Sequence, residues 1–152
     1  MKPLAGRIAL VTGSGRGIGR AIAERLAELG ADVAINYRRD DTAAQEAVAE
    51  IEAMGQKAKA YAGSVSDCDA CEKMIADVVA DFGGLDILVN NAGIASRGNT
   101  VEDTDPKEFE RVVHTHAFGA FYLSHFALPH MRAAERGDII MITSTATRKM
   151  AP

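Results

Sequence analysis

Thr12-Gly13-Ser14-Gly15-Arg16-Gly17-Ile18-Gly19 is the stretch from which the architecture of this chain unfolds. Before it, Arg7 to Thr12 (RIALVT) is a short apolar, β-rich run, the pattern of a strand buried on both faces. After it, Ile18, Ile22, Leu26 and Leu29 recur at helical spacing until Gly30 stops the helix. A glycine-rich turn between a buried strand and a helix is a place where a diphosphate can dock. Glycine permits the tight turn and the close approach of backbone, and the helix N-terminus supplies free N–H groups and a positive dipole end. A merely tight strand–helix connection would use the same glycines, so both readings stay open on this stretch alone.

Outward from the turn the alternation repeats. Asp32 to Tyr37 (DVAINY) predicts a second strand, followed by a helix from about Asp41 to Met54 with Ala44, Val48 and Ile51 on one face and Gly55 as its stop. Lys57 to Ala62 predicts a third strand. Ser66-x-x-Asp69 resembles a capping box, opening a helix that carries Met74, Ile75, Val78, Val79 and Phe82 and ends at Gly83-Gly84. Leu85 to Val89 predicts a fourth strand, and residues 90–104 a polar, Gly-containing loop. Asp105-Pro106-Lys107-Glu108 is a helix start, with an acid cap, proline at the first helical position and Glu at the third. That helix is expected to run to about Arg132 with an interruption at Pro129. Asp138 to Thr143 (DIIMIT) predicts a fifth strand. Five strands with four intervening helices imply right-handed parallel crossovers: an α/β, doubly wound parallel sheet of the Rossmann type, seen over its first five strands.

Composition bounds the function. With 152 residues and about 150 per domain, residues 1–152 read as one domain. There are 17 Lys and Arg against 21 Asp and Glu, a formal charge of −4. With pI near 5.5 there is no basic excess for phosphate backbones, which argues against a nucleic-acid partner. The apolar fraction of 47% and charged fraction of 25% are those of globular proteins. No apolar run approaches the ~18–20 residues of a membrane span, and no apolar signal region precedes the polar Gly6-Arg7. Cys68 and Cys71 are too few for a disulfide scaffold, so a reducing cytoplasm is expected.

The end of the second strand speaks to cofactor choice. An acid there would hold a ribose 2′-hydroxyl, as in NAD-binding or methyltransferase-type relatives of this architecture. This chain has Asn36-Tyr37-Arg38-Arg39 instead. Arg38, with Arg16 of the glycine turn, is placed to clamp a 2′-phosphate, which points to NADP with NAD possible. The competing reading is a pair of solvated surface arginines. Asn90-Asn91-Ala92-Gly93 follows the fourth strand, at the sheet edge where ligands bind. Taken alone it would pass for an ordinary polar turn.

Gly13, Gly17 and Gly19 in a TGxxxGxG pattern, the NNAG run at 90–93 and a fifth strand leading to Ser144 together resemble the classical short-chain dehydrogenase/reductase family, specifically its N-terminal part. The similarity covers the whole chain. It implies hydride transfer between a nicotinamide and a carbonyl or alcohol carbon. It also implies that Gly13, Arg16, Gly17, Ile18 and Gly19 surround the phosphates, that Arg38 faces the adenosine ribose, and that Ser14 and Asn36 belong to the cofactor site. Ser64 and Val65 would flank adenine; many relatives have Asp or Asn at the Ser64 place. Asn91, Ala92 and Gly93 would line the cofactor, with Asn90 mainly structural. Ser144 would donate to the substrate oxygen and polarise the carbonyl.

Two departures stand out. The family's acid/base is a Tyr followed four residues later by a Lys. Here Tyr37, Tyr61 and Tyr122 are followed at that spacing by Asp41, Val65 and Phe126. The expected pair falls beyond Pro152, as do a helix and one or two further strand–helix units of ~30 residues. The chain therefore reads as truncated at its C-terminal end, and these residues alone are expected to be inactive. Second, relatives carry an Asn where this chain has His116. An imidazole donates and accepts and suits a proton relay; a packing histidine is the other reading.

Remaining candidates point elsewhere. Cys68-Asp69-Ala70-Cys71 has redox spacing, but the element order is not thioredoxin-like and no histidine completes a zinc site. His114 and His116 point to different helix faces, so no metal is expected. Phe118, Phe121, Tyr122 and Phe126 form a stripe that reads as core or subunit contact, and the resemblance implies a homodimer or homotetramer through this long fourth helix. The expectation is thus an NADP(H)-preferring oxidoreductase acting on a small-molecule ketone or secondary alcohol, with 3-oxoacyl-thioester and polyol substrates both open. The alternative is a non-catalytic dinucleotide-binding or oligomerising module.

Overall fold

The computed structural model describes residues 2–95 and 98–144. Its elements run β1 (Ile8–Val11), α1 (Gly17–Glu28), β2 (Asp32–Tyr37), α2 (Asp41–Ala53), β3 (Ala58–Ala62), α3 (Cys68–Phe82), β4 (Ile87–Asn90), α4 (Pro106–Val113), α5 (Gly119–Ala133) and β5 (Asp138–Met141). The five strands pair in parallel in the order β3-β2-β1-β4-β5. The order reverses direction at β1, so the C-terminal ends of β1 and β4 flank a crevice, the place where doubly wound sheets bind ligands.

Period-two alternation fills both faces of the sheet. Ala9, Val11, Val33, Ile35, Ile87 and Val89 pack with α1 and α2 on one side. Leu10, Ala34 and Leu88 pack with α3 and α5 on the other. This double burial is why the central strands read as continuous apolar runs rather than alternating ones. β5 is less covered: Ile140, Met141 and Ile142 are 44%, 48% and 41% exposed. At the opposite end of the sheet Arg136 forms a two-point ion pair with the buried Asp86 at 2.6 and 3.0 Å, and Asp86 also accepts from Ile8 N. Among the described residues no helix is long and apolar enough to cross a membrane.

Two local expectations are corrected. The cap of α3 is Asp67, whose side chain accepts from Ala70 N; Ser66 pairs with Ser64 instead, Oγ to Oγ at 2.8 Å. An aspartate one residue later offers a charged acceptor at the dipole end and displaces the hydroxyl. The long fourth helix is not broken at Pro129, which lies inside α5. It is interrupted earlier, at His114–Phe118, by one turn of π-helix that joins α4 to α5. There Gly119 N reaches back five residues to His114 O, the widened turn that often marks functional sites. Gly119 also brings α5 against the loop after β3, since a Cβ on it would lie 2.8 Å from Val65 O.

Candidate functional site

Apart from α5, which continues from the π turn, the helix starts fall into two kinds. α2, α3 and α4 each begin with an aspartate, Asp40, Asp67 and Asp105, whose carboxylate accepts from the first-turn backbone. α1 begins with Arg16, has no side-chain cap and carries no acid in its first turn. Its N–H groups and positive dipole end are left to an anion.

The glycine turn brings that helix start close to the sheet. Gly13 has φ +63, and a Cβ on it would stand 3.0 Å from Ala92 Cα. A Cβ on Gly19 would overlap Gly13 O and lie 2.5 Å from Asn91 Nδ2. These contacts are with backbone and a tied amide, so neither position admits a side chain. Asn91 is held from the other side, with Nδ2 donating to Thr12 O at 2.8 Å and Gly13 O at 3.3 Å. Thr12 completes the joint: its buried hydroxyl accepts from Asn91 N at 3.0 Å and Ala92 N at 2.9 Å.

A groove of about 600 Å³ runs across this joint. Gly13, Arg16, Gly17, Ile18 and Gly19 line its middle, Asn36, Arg38, Ser64 and Val65 one end, and Asn91, Ala92 and Gly93 the other. All but one of the residues expected from sequence to bind a cofactor are thus brought together. The exception is Ser14. It is fully buried and turned inward, its hydroxyl donating to Val11 O at 2.6 Å and accepting from Asn36 N. It shapes the turn without facing the groove. Asn36 lines the groove, but its side chain is spent on backbone, as detailed below.

Electrostatics at the β2–β3 end of the groove are one-sided. Arg16, Arg38 and Arg39 line the groove and are exposed, and among the described residues none makes a side-chain hydrogen bond or ion pair. Arg20, one turn along α1, instead pairs with Glu24 at 2.8 Å and Glu50 at 2.7 Å and stands outside the groove. The nearby carboxylates are engaged. Asp40 caps α2, and Asp41 accepts from the Tyr37 hydroxyl at 2.6 Å, a bond that holds its carboxyl below the usual carboxylate range.

Beyond Gly93 a smaller cavity of about 230 Å³ lies between β4, β5 and the π turn, with Thr115, His116 and Thr143 among its walls. His116 Nε2 lies 2.8 Å from Ile94 O and 3.1 Å from Ile94 N, so one ring nitrogen meets both backbone groups of one residue. Gly93 makes room for this ring: a Cβ there would sit 2.6 Å from His116 Cε1. Ser144 follows in exposed chain past β5 and lines neither cavity. Sequence reasoning missed Thr12, Arg39, Gly63 and Thr115. Thr12 and Arg39 sit beside residues that were noticed. Thr115 owes its place to the π turn, which no spacing rule reveals.

A family model described as short chain dehydrogenase matches residues 7–152, and the chain belongs to that family. It is 45% identical over 150 residues to versicolorin reductase 1 of Aspergillus parasiticus, an alignment covering 98% of this chain and 56% of that protein. The chain therefore spans little more than half the length of this relative. Among solved structures it superposes with a TM-score of 0.90 at 38% identity on a short chain dehydrogenase from Burkholderia cenocepacia J2315 in complex with NADP, over 98% of this chain and 60% of that one. A xylitol dehydrogenase bound to NAD+ matches with a TM-score of 0.92 at 34% identity, over 99% of this chain and 58% of its own.

Proposed function

We propose that the whole protein is an NADP(H)-preferring oxidoreductase that moves hydride between a nicotinamide cofactor and a ketone or secondary alcohol. The observation that carries the cofactor choice is the set of arginines, Arg16, Arg38 and Arg39, that have no side-chain partner among the described residues and stand beside the uncapped start of α1. A 2′-phosphate gives such guanidinium groups charge-assisted partners, whereas a bare ribose hydroxyl would leave them unmatched. NAD fits the same groove with weaker hold, and the NADP and NAD+ complexes among the related structures agree with both.

In this reading the α1 N-terminus and the glycine turn hold the diphosphate, and Val65 and Ser64 flank adenine. Asn91, Ala92 and Gly93 carry the dinucleotide toward the smaller cavity, where the nicotinamide supplies or accepts hydride when bound. Ser144 Oγ donates to the substrate oxygen as it gains negative charge. The Tyr-x-x-x-Lys pair is absent from residues 1–152 and belongs to the rest of the whole protein. His116 Nε2 is tied to Ile94, and an imidazole that both donates and accepts is suited to pass a proton. We further propose that a second copy of the chain covers α4 and α5, where Phe109, Phe118 and Phe121 are 64%, 42% and 64% exposed. Both cysteines are free, in keeping with a reducing cytoplasm.

The test is a screen of full-length protein for NADPH oxidation over ketone substrates, with peptide mapping past residue 152. NADPH-dependent reduction of a ketone, with a Tyr-x-x-x-Lys peptide recovered, is expected. Full-length protein that contains this pair yet binds neither dinucleotide overturns the proposal. A natural stop at Pro152 would favour a non-catalytic binding or oligomerising module.

A further inference from the structure

Asn36 closes β2 with its side chain inside the protein; the residue is 2% exposed. Its carboxamide meets one backbone donor and three backbone acceptors. Oδ1 accepts from Gly13 N at 3.2 Å. Nδ2 faces Gly63 O at 3.1 Å, Tyr61 O at 3.3 Å and Tyr37 O at 3.4 Å. These partners fix which way the amide points, because a backbone N–H only donates and a carbonyl only accepts. The main chain of Asn36 is engaged as well: its N donates to Ser14 Oγ and its O accepts from Ser14 N.

Gly13 belongs to the turn after β1, and Tyr61 and Gly63 to the end of β3. Gly13 and Gly63 line the groove on either side of Asn36. One amide therefore fastens the middle of the groove to its adenosine end. The geometry points to Asn36 as a positioning residue that couples these two walls, acting on a bound dinucleotide through Gly13 and Gly63. This rests on the dinucleotide reading of the groove. The chemistry required is one acceptor and two donors on a short side chain, which among natural residues only asparagine supplies at that length. An aspartate would keep the bond from Gly13 N but turn a carboxylate oxygen toward three carbonyls. For the same reason an acid at this position would not become a reader of the ribose hydroxyl, since it would point inward.

The experiment is the NADP+ affinity of full-length native protein and Asn36→Asp, compared at pH 8 and near pH 5.5, with far-UV circular dichroism as the check on fold. At pH 8 the variant binds about tenfold or more weakly than native, the loss expected for one mispaired buried polar contact. Near pH 5.5 the gap narrows, because a protonated carboxyl again offers one acceptor and one donor. Equal affinity at both pH values, or a deficit that does not change with pH, overturns the coupling role. If the variant fails to fold, the native protein still decides. Saturation with adenosine 2′-monophosphate, which in this reading reaches only the adenosine end, shifts the amide resonance of Gly13 and the side-chain resonances of Asn36. An unmoved Gly13 resonance overturns the inference. Native protein that binds no NADP+ takes down the groove reading together with it, whereas native binding matched by the variant takes down the role of Asn36 alone.

Discussion

Replacing Thr12 with valine isolates the joint between the two ligand-facing loops. Valine preserves shape and removes only the hydroxyl. That hydroxyl is buried and makes three hydrogen bonds: it accepts from Asn91 N at 3.0 Å and Ala92 N at 2.9 Å, and donates to Val89 O at 3.3 Å. The losses are unequal. Asn91 N also lies 3.1 Å from Val89 O, and Val89 O already accepts from Thr12 N at 3.0 Å, so both keep a partner. Among the described residues Ala92 N has no second partner, and it sits in a partly buried place. The cost is therefore that of about one unsatisfied N–H, discounted for partial access of water: about 1–2 kcal/mol. With an ordinary urea dependence this lowers the unfolding midpoint by about 0.5–1 M. Thr12→Ser keeps the hydroxyl and loses a methyl, costing about 0.5–1 kcal/mol. Urea denaturation of full-length protein, followed by tryptophan-independent far-UV signal, ranks the variants. Valine tolerated better than serine would show that the site is held by packing, and the hydrogen-bonded joint would be refuted. A parallel loss of NADP+ affinity in Thr12→Val is expected, because Asn91 and Ala92 line the groove.

Arg38→Asp should weaken NADP+ binding by about tenfold or more while changing NAD+ far less; equal losses by calorimetry would remove the clamp. Gly93→Ala should disturb the His116 ring, and His116→Ala should suppress that damage, giving a coupling of about 1 kcal/mol in a double-mutant cycle. The two thiols should differ: burial pushes Cys71 up to about 12 while Cys68 is exposed. Brief alkylation at pH 8 should therefore mark Cys68 alone, as read by peptide mass. Because folding favours the protonated Cys71, its contribution to stability is full below pH 9 and is lost as pH rises toward about 12, so Cys71→Ser should flatten the alkaline stability profile.

Much of the fold was legible because each local signal agreed with the next. Double-sided apolar strands, glycine stops and the Asp105-Pro106 helix start all specify the same parallel alternation. The glycine turn was legible as a tight joint between β1 and α1, but on that stretch alone a diphosphate site and a plain connection were not separable. What escaped is what depends on pairs of residues distant in sequence. The π turn arises where α5 meets Val65 through Gly119, and no property of His114–Phe118 by itself announces it. The cap of α3 escaped for a local reason: Asp67, not Ser66, turns its side chain to the helix start, which the loop geometry decides.

Asn36 shows why the chemistry of a motif residue does not reveal its direction. Its place at the end of β2 is where a dinucleotide-binding sheet meets the adenosine ribose, and the family resemblance put it in the cofactor site. The parallel register sets Asn36 opposite Tyr61 and closes β3 beside it, so the nearest polar groups are three carbonyls and the Gly13 N–H. Leaving those groups unpaired inside the protein would cost more than a solvent-exposed contact with ribose returns. The side chain therefore turns inward, and in the proposed reading discrimination of the 2′ position falls to Arg38, Arg39 and Arg16, whose side chains have no partner among the described residues. An affinity for NADP over NAD that survives loss of all three arginines would contradict this division of labour.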